Sequence, residues 1–99
     1  RKEVNTMIFA LKIKKRPGVG LLNFDLWEIS EIFLSGDGIL GYFPKEEIHD
    51  YLLTHPHSIR VNRGNMPFLE PRISKNGEKY VASEANDTIL DNLLSLPQE

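Results

Sequence analysis

Arg72-Ile73-Ser74-Lys75-Asn76-Gly77-Glu78-Lys79-Tyr80-Val81-Ala82 is the stretch that decides the fold. Two extended runs flank Asn76-Gly77, and both of those residues tolerate positive φ. The pattern predicts a β-hairpin closed by a type I′ turn. A two-residue turn sets the register: Lys75 faces Glu78, Ser74 faces Lys79, Ile73 faces Tyr80 and Arg72 faces Val81. Ile73 and Tyr80 then form the apolar pair, with Lys75 and Glu78 as an opposite-charge neighbour. A lone hairpin is marginal in water, so the rest of the chain must supply more strands and a covering layer.

Both are legible upstream. Residues 5–14 alternate, with Met7, Phe9, Leu11 and Ile13 on one side and Ile8, Ala10, Lys12 and Lys14 on the other. Period two marks a half-buried strand, with Phe9, Leu11 and Ile13 expected inward. Lys15 to Gly20 stops it with Pro17, Gly18 and Gly20. A second extended run spans Leu26 to Leu34. Leu26, Ile32 and Leu34 share one side and Trp27, Ile29 and Phe33 the other, so either face is a candidate for burial. Ser35-Gly36-Asp37-Gly38 is a turn by composition, and Ile39 to Phe43 is a short strand or a loop packed on the core.

The covering layer is a helix. Pro44 suits a first helical position, and Glu46 and Glu47 favour the positive dipole end. Ile48, Tyr51 and Leu52 make the apolar stripe, and Pro56 ends the helix just after His55. Ser58 to Asn62 alternates again, with Ile59 and Val61 inward and Arg60 outward. Arg63 to Pro67 is a loop. In the tail, Asn86-Asp87 marks a turn or cap. Ile89, Leu90, Leu93, Leu94 and Leu96 predict a short helix or wrapped segment that closes one end of the sheet. The expected fold is α+β: a small, mostly antiparallel sheet of about five strands, one main helix and a leucine-rich C-terminal segment. Residues 1–99 form a single domain by length.

The stretch Gly77-Glu78-Lys79-Tyr80-Val81-Ala82-Ser83-Glu84-Ala85-Asn86-Asp87-Thr88, followed by Asp91-Asn92-Leu93-Leu94-Ser95-Leu96-Pro97, resembles a bacterial and phage family of small domains of unknown function. Members end in a Gly-x-x-Tyr-aliphatic-Arg-Ser/Thr strand, an acidic or amide-rich turn and Asn-Leu-x-x-Leu-Pro. The upstream layout is similar: two strands, a Gly-Asp-Gly turn and a helix opened by a Glu-Glu pair. The resemblance runs loosely over residues 6–97 and is specific over the last twenty or so. It implies a self-contained α+β domain and carries no activity. Ala82 stands where the family commonly has Arg.

Chemistry-bearing motifs are sparse. The chain has no cysteine, which excludes disulfides, thiol catalysis and thiolate metal sites. His49 and His55 point to different helix faces and His57 lies beyond Pro56, so the three histidines are expected at the surface or the helix end, not on a metal. The serines sit in no nucleophile elbow. Pro17-Gly18-Val19-Gly20 follows basic residues but lacks the Lys-Ser/Thr end of a phosphate-binding loop. The expectation is a non-enzyme with no cofactor. No apolar run is long enough for a membrane span, and Arg1-Lys2-Glu3-Val4 lacks a signal-peptide core, so the expected location is cytoplasmic.

Charge is the informative pattern. The chain carries 12 Lys+Arg and 14 Asp+Glu, a net charge of -2, but the charges are segregated. Residues 1–16 and 58–82 are basic blocks. Residues 17–57 hold Lys45 against seven acids, and residues 83–99 hold no cation. The pleat puts Lys12, Lys14, Arg60, Arg72 and Lys79 on the side of the sheet away from the helix, a candidate basic face. A solvated sheet surface that needs charge for solubility is the stronger explanation of such a pattern. Met66, Phe68 and Leu69, beside Arg60 and Arg63, form a candidate apolar interface, with core packing the alternative for Phe68 and Leu69. The expected function is a small bacterial or phage accessory domain that binds a macromolecule. A protein is the first expectation. The alternative is nucleic acid on the basic face, with Trp27 or Phe33 stacking a base. A small enzyme with an unrecognised site is the third. An edge strand also leaves homodimerisation open.

Overall fold

The computed structural model describes residues 7–18, 25–84 and 92–98. Asn5 and Thr6 of the first predicted strand, the Val19-Gly20 end of the stop signal, the Asn86-Asp87 turn, Ile89 and Leu90 lie outside the described residues. The described chain is α+β, with strands β1 (Ile8–Lys15), β2 (Ile29–Gly36), β3 (Ile39–Pro44), β4 (Ile59–Val61), β5 (Leu69–Ile73) and β6 (Lys79–Ser83) and one helix, α1 (Lys45–Thr54). Short 3-10 helices cover Leu26–Glu28 and Asn92–Ser95.

The strands form two sheets where one was expected. Four are ordered β3-β2-β1-β4, and β5 pairs with β6 separately. β1-β2 and β2-β3 are antiparallel, while β1 and β4 run parallel, joined through the α1 crossover. An Arg60–Phe68 bridge links β4 to the segment entering the hairpin. At the other end of β1, Ile13 donates its N–H to the Pro97 carbonyl at 2.9 Å and bridges Gln98, so the C-terminal segment continues the sheet beside β1. Of the tail's apolar residues, Leu93, Leu94 and Leu96 are buried in the core.

The first strand departs from simple alternation. Ala10 pairs with Leu34 and Lys12 with Phe33, leaving Leu11 as an extra residue in β1. A second shift leaves Ser30 extra in β2, and its hydroxyl donates to the Lys14 carbonyl at 3.2 Å. A bulge of one residue reverses which face the following side chains take. Ile8, Ala10 and Ile13 therefore all point inward and are fully buried, and Phe9 points out. The inward set predicted from strict alternation is correct at Ile13 and reversed at Phe9. On β2 the buried side carries Ile29, Ile32 and Leu34, and the stretch Leu26–Glu28 is helical and not extended.

Pro44 is the N-cap of α1, in extended conformation, and the helix begins at Lys45. Ile48 and Leu52 bury the predicted stripe against the sheet core, with Tyr51 half-buried beside them. The β2-β3 turn is Asp37-Gly38, both at positive φ (51° and 78°), and it joins the Gly36–Ile39 pair. That is the geometry of a type I′ turn.

The β5-β6 turn differs from the predicted one. Gly77 has φ 85°, but Asn76 is not among the residues with positive φ. Gly77 N–H donates to the Ser74 carbonyl and Ser74 N–H to the Glu78 carbonyl, each at 2.9 Å. Lys75, Asn76 and Gly77 therefore form a three-residue loop with glycine in the left-handed position. Ser74 Oγ reinforces it by accepting from the N–H groups of Glu78 and Asn76 at 3.1 and 3.3 Å. The extra loop residue moves the register by one. Ile73 faces Lys79 and Arg72 faces Tyr80, and Ile73 is left 61% exposed.

Candidate functional site

The bulges in β1 and β2 build the outer face of the four-stranded sheet. Its register rows read Lys12, Phe33, Tyr42 and then Lys14, Glu31, Pro44, with Phe9, Ser35 and Leu40 on the third row and Arg60 beside Phe9. These side chains stay partly or fully exposed, in contrast to the inward set. Lys12 Nζ lies 5.5 Å from the centroid of the Phe33 ring, and Lys14 Nζ lies 4.3 Å from that of Tyr42. Phe33 and Tyr42 meet edge to face at 5.1 Å. Lys14 also sits 4.0 Å from Glu31, both side chains 41% exposed, a weak pair in water. On β4 the Arg60 guanidinium lies 4.2 Å from the Phe68 ring centroid and donates to the Met66 carbonyl at 2.8 Å. Cations over aromatic faces are mutually attractive, and each pair presents a flat apolar surface edged by positive charge.

Lys12, Lys14 and Arg60 therefore share the predicted face. Arg72 and Lys79 do not. They belong to the separate β5-β6 sheet, whose strands pack against α1. Arg72 donates to Glu70 at 2.5 and 3.0 Å, and Lys79 donates to Asp50 of α1 at 3.0 and 3.3 Å. Hydrogen bonds from the His49 ring and from Lys79 hold the Asp50 carboxyl below its usual range. The Phe33 ring lies on the outer face, but Trp27 does not join it: its ring meets Tyr80 of the hairpin edge to face at 6.0 Å.

Of the candidate apolar interface, Leu69 is buried while Met66 and Phe68 stay partly exposed. Leu69 is 1% exposed and belongs to the core, Phe68 lies between Arg60 and the His57 ring, and Met66 holds positive φ with its carbonyl engaged. The histidines also have local roles. His49 is buried with Nδ1 3.0 Å from Asp50, His55 stacks on Tyr51 at 4.2 Å and His57 lies 3.6 Å from Glu84. Among the described residues no three His, Cys, Asp or Glu side chains are grouped to hold a metal ion.

One cluster escaped the sequence reading. Lys45 is buried at the start of α1, and its ammonium donates to Glu78 at 2.6 Å and to the Trp27 carbonyl. Arg16 pairs with the same Glu78 carboxylate, lies 3.6 Å from Glu28 and donates to the Trp27 carbonyl at 3.0 Å. Burial lowers the Lys45 pKa, and Arg16 pushes it the same way. A cation at the positive end of a helix is doubly disfavoured, so Glu78 offsets a real cost. The sequence holds a signal: Lys45 is the one Lys or Arg between positions 17 and 57. The cluster ties the β6 end of the hairpin to β1 and α1, a structural clasp apart from the outer face.

No helix among the described residues is long and apolar enough to cross a membrane. Neither the curated proteins nor the solved structures contain a match to the chain. The family described as "Protein of unknown function (DUF3892)" matches residues 42–97, from Tyr42 of β3 through the buried leucines of the C-terminal segment. That match covers more than half of the chain, which therefore belongs to the DUF3892 family of proteins of unknown function.

Proposed function

We propose that this chain is a non-enzymatic accessory module of bacterial or phage origin, and that it binds single-stranded nucleic acid on the outer face of the four-stranded sheet. One observation carries the reading: cations and aromatic rings alternate on that face across neighbouring strands, with Lys12 over Phe33 and Lys14 over Tyr42. Sheet faces of this composition suit an extended strand, because bases stack on the rings while ammonium groups meet phosphates. Arg60 above Phe68 extends the charge to β4. Glu31 within the same rows limits the positive field, which fits a modest, salt-sensitive binder better than a tight one.

The test is fluorescence anisotropy with labelled single-stranded DNA and RNA of mixed sequence. Binding is expected at low salt and should weaken steeply as salt rises. Each phosphate contact contributes about 0.7 to the logarithmic salt slope, so replacing Lys12, Lys14 and Arg60 by Ala should lower the slope by about 2. Phe33→Ala should cost about 1–3 kcal/mol of binding through lost stacking. Arg72→Ala with Lys79→Ala should leave affinity within about twofold, since both lie off the face. Absence of binding to either nucleic acid at low salt would overturn the reading and leave a protein partner as the working alternative.

A further inference from the structure

The inner side of the sheet holds a second feature. Between it and α1 lies a cavity of about 210 Å³. Its walls include Leu34, Ile39 and Phe43 of the sheet and Ile48 and Tyr51 of the helix, and Glu47 stands among them. The hollow is mostly apolar and open to solvent at the surface, so a small molecule can reach it. Gly41 belongs to the same strand as two of these walls. It lies between Ile39 and Phe43 in β3, opposite Leu34, and contributes no side chain to the inner layer. A Cβ built at Gly41 would meet nothing within 4 Å, and its φ of 143° disfavours any larger residue.

Size and chemistry together define an occupant. An apolar cavity of roughly 150 Å³ stays dry and takes benzene, so this one accommodates such a ring and a short chain. Phe43 and Tyr51 offer ring edges and faces to it. Glu47 is exposed and belongs to the first turn of α1. A carboxylate beside an apolar hollow attracts a cation and repels an anion, with the strength of an exposed charge. We infer that the cavity binds a small amine with an apolar body: an aromatic ring seated among Leu34, Ile39 and Ile48, with a protonated amino group one or two carbons away on Glu47. This site lies across the sheet from the outer-face residues and does not depend on their role.

Methyl NMR of the isolated chain with phenethylamine and its neutral isostere 2-phenylethanol tests the assignment. Saturable shifts of the Leu34, Ile39 and Ile48 methyls are expected with phenethylamine, and 2-phenylethanol should bind at least fivefold more weakly, as loss of a charge pairing implies. Glu47→Gln, a surface change that leaves the core intact, should bring the two probes to within about twofold. Ile39→Phe should abolish the shifts of Leu34 and Ile48 by filling the hollow. Silence of these methyls at millimolar phenethylamine, or equal binding of both probes in the unaltered chain, would overturn the inference.

Discussion

The two faces of the four-stranded sheet are made by the same strands and behave as opposites. Inward, Ile8, Ala10, Ile13, Ile32 and Leu34 are at most 4% exposed and pack with Ile48 and Leu52 of α1 and Leu93 of the C-terminal segment. Outward, Phe9, Lys12, Lys14, Glu31, Phe33 and Tyr42 remain partly exposed, with Lys12 over the Phe33 ring and Lys14 over the Tyr42 ring. Stability should therefore reside on the inner face, and the proposed nucleic-acid contact on the outer one. The extra residue Leu11 makes the division clean, because without it Ile13 would follow Phe9 onto the outer side.

The largest effect that sharpens this comparison lies inward. Ile32→Ala removes a fully buried side chain beneath the helix and should cost about 2–5 kcal/mol, read from urea unfolding. In a domain of this length that is a large share of the stability, so a loss under 1 kcal/mol would mean that the inner face is loosely packed. Next comes the Lys45 clasp. Glu78→Gln leaves the buried ammonium of Lys45 with a weaker acceptor and should cost about 1–3 kcal/mol near neutral pH.

The same clasp sets a pH dependence with a definite sign. The Lys45 pKa is lowered in the folded chain from 10.5, so between the lowered value and 10.5 the unfolded chain holds more protons. Stability contributed by this group therefore rises with pH across that window. Unfolding measured from pH 7 to pH 10 should show the unaltered chain gaining on Lys45→Met as pH rises. A constant difference between the two would contradict the burial of a charged lysine. The smallest effect lies outward. Lys12→Ala and Lys14→Ala should each change stability by no more than about 0.5 kcal/mol, since their ring contacts are exposed. A loss comparable to Ile32→Ala would erase the distinction between the faces.

The sequence exposes these features unevenly. Helix α1 is legible because its signals are local: a proline at the entry, two glutamates in the first turn and a three-four apolar stripe. The hairpin is legible as a hairpin, but its register turns on one serine hydroxyl that favours the longer loop. The phase of β1 is hidden because an alternating string does not announce a bulge. Leu11 looks like one more apolar position in period two. On the outer face, Lys12 and Lys14 are legible from alternation because they follow the Leu11 bulge and alternate with Ile13, and Arg60 because β4 carries no bulge. Arg72 and Lys79 were misassigned because nothing local says that β5 and β6 leave the main sheet and pack against the helix. The Lys45–Glu78 contact joins residues 33 positions apart, and only the fold brings them together.

We propose that the outer face, and not the hairpin or the helix, receives a single strand of nucleic acid. Chemical-shift mapping of the isotope-labelled chain with a short single-stranded oligonucleotide at low salt tests it most directly. The prediction is that the largest shifts fall on Phe9, Lys12, Phe33, Tyr42 and Arg60, while Lys79, Asp50 and the inward Ile32 and Leu52 stay nearly unmoved. Shifts centred on the β5-β6 hairpin or α1, or none above background, would contradict it.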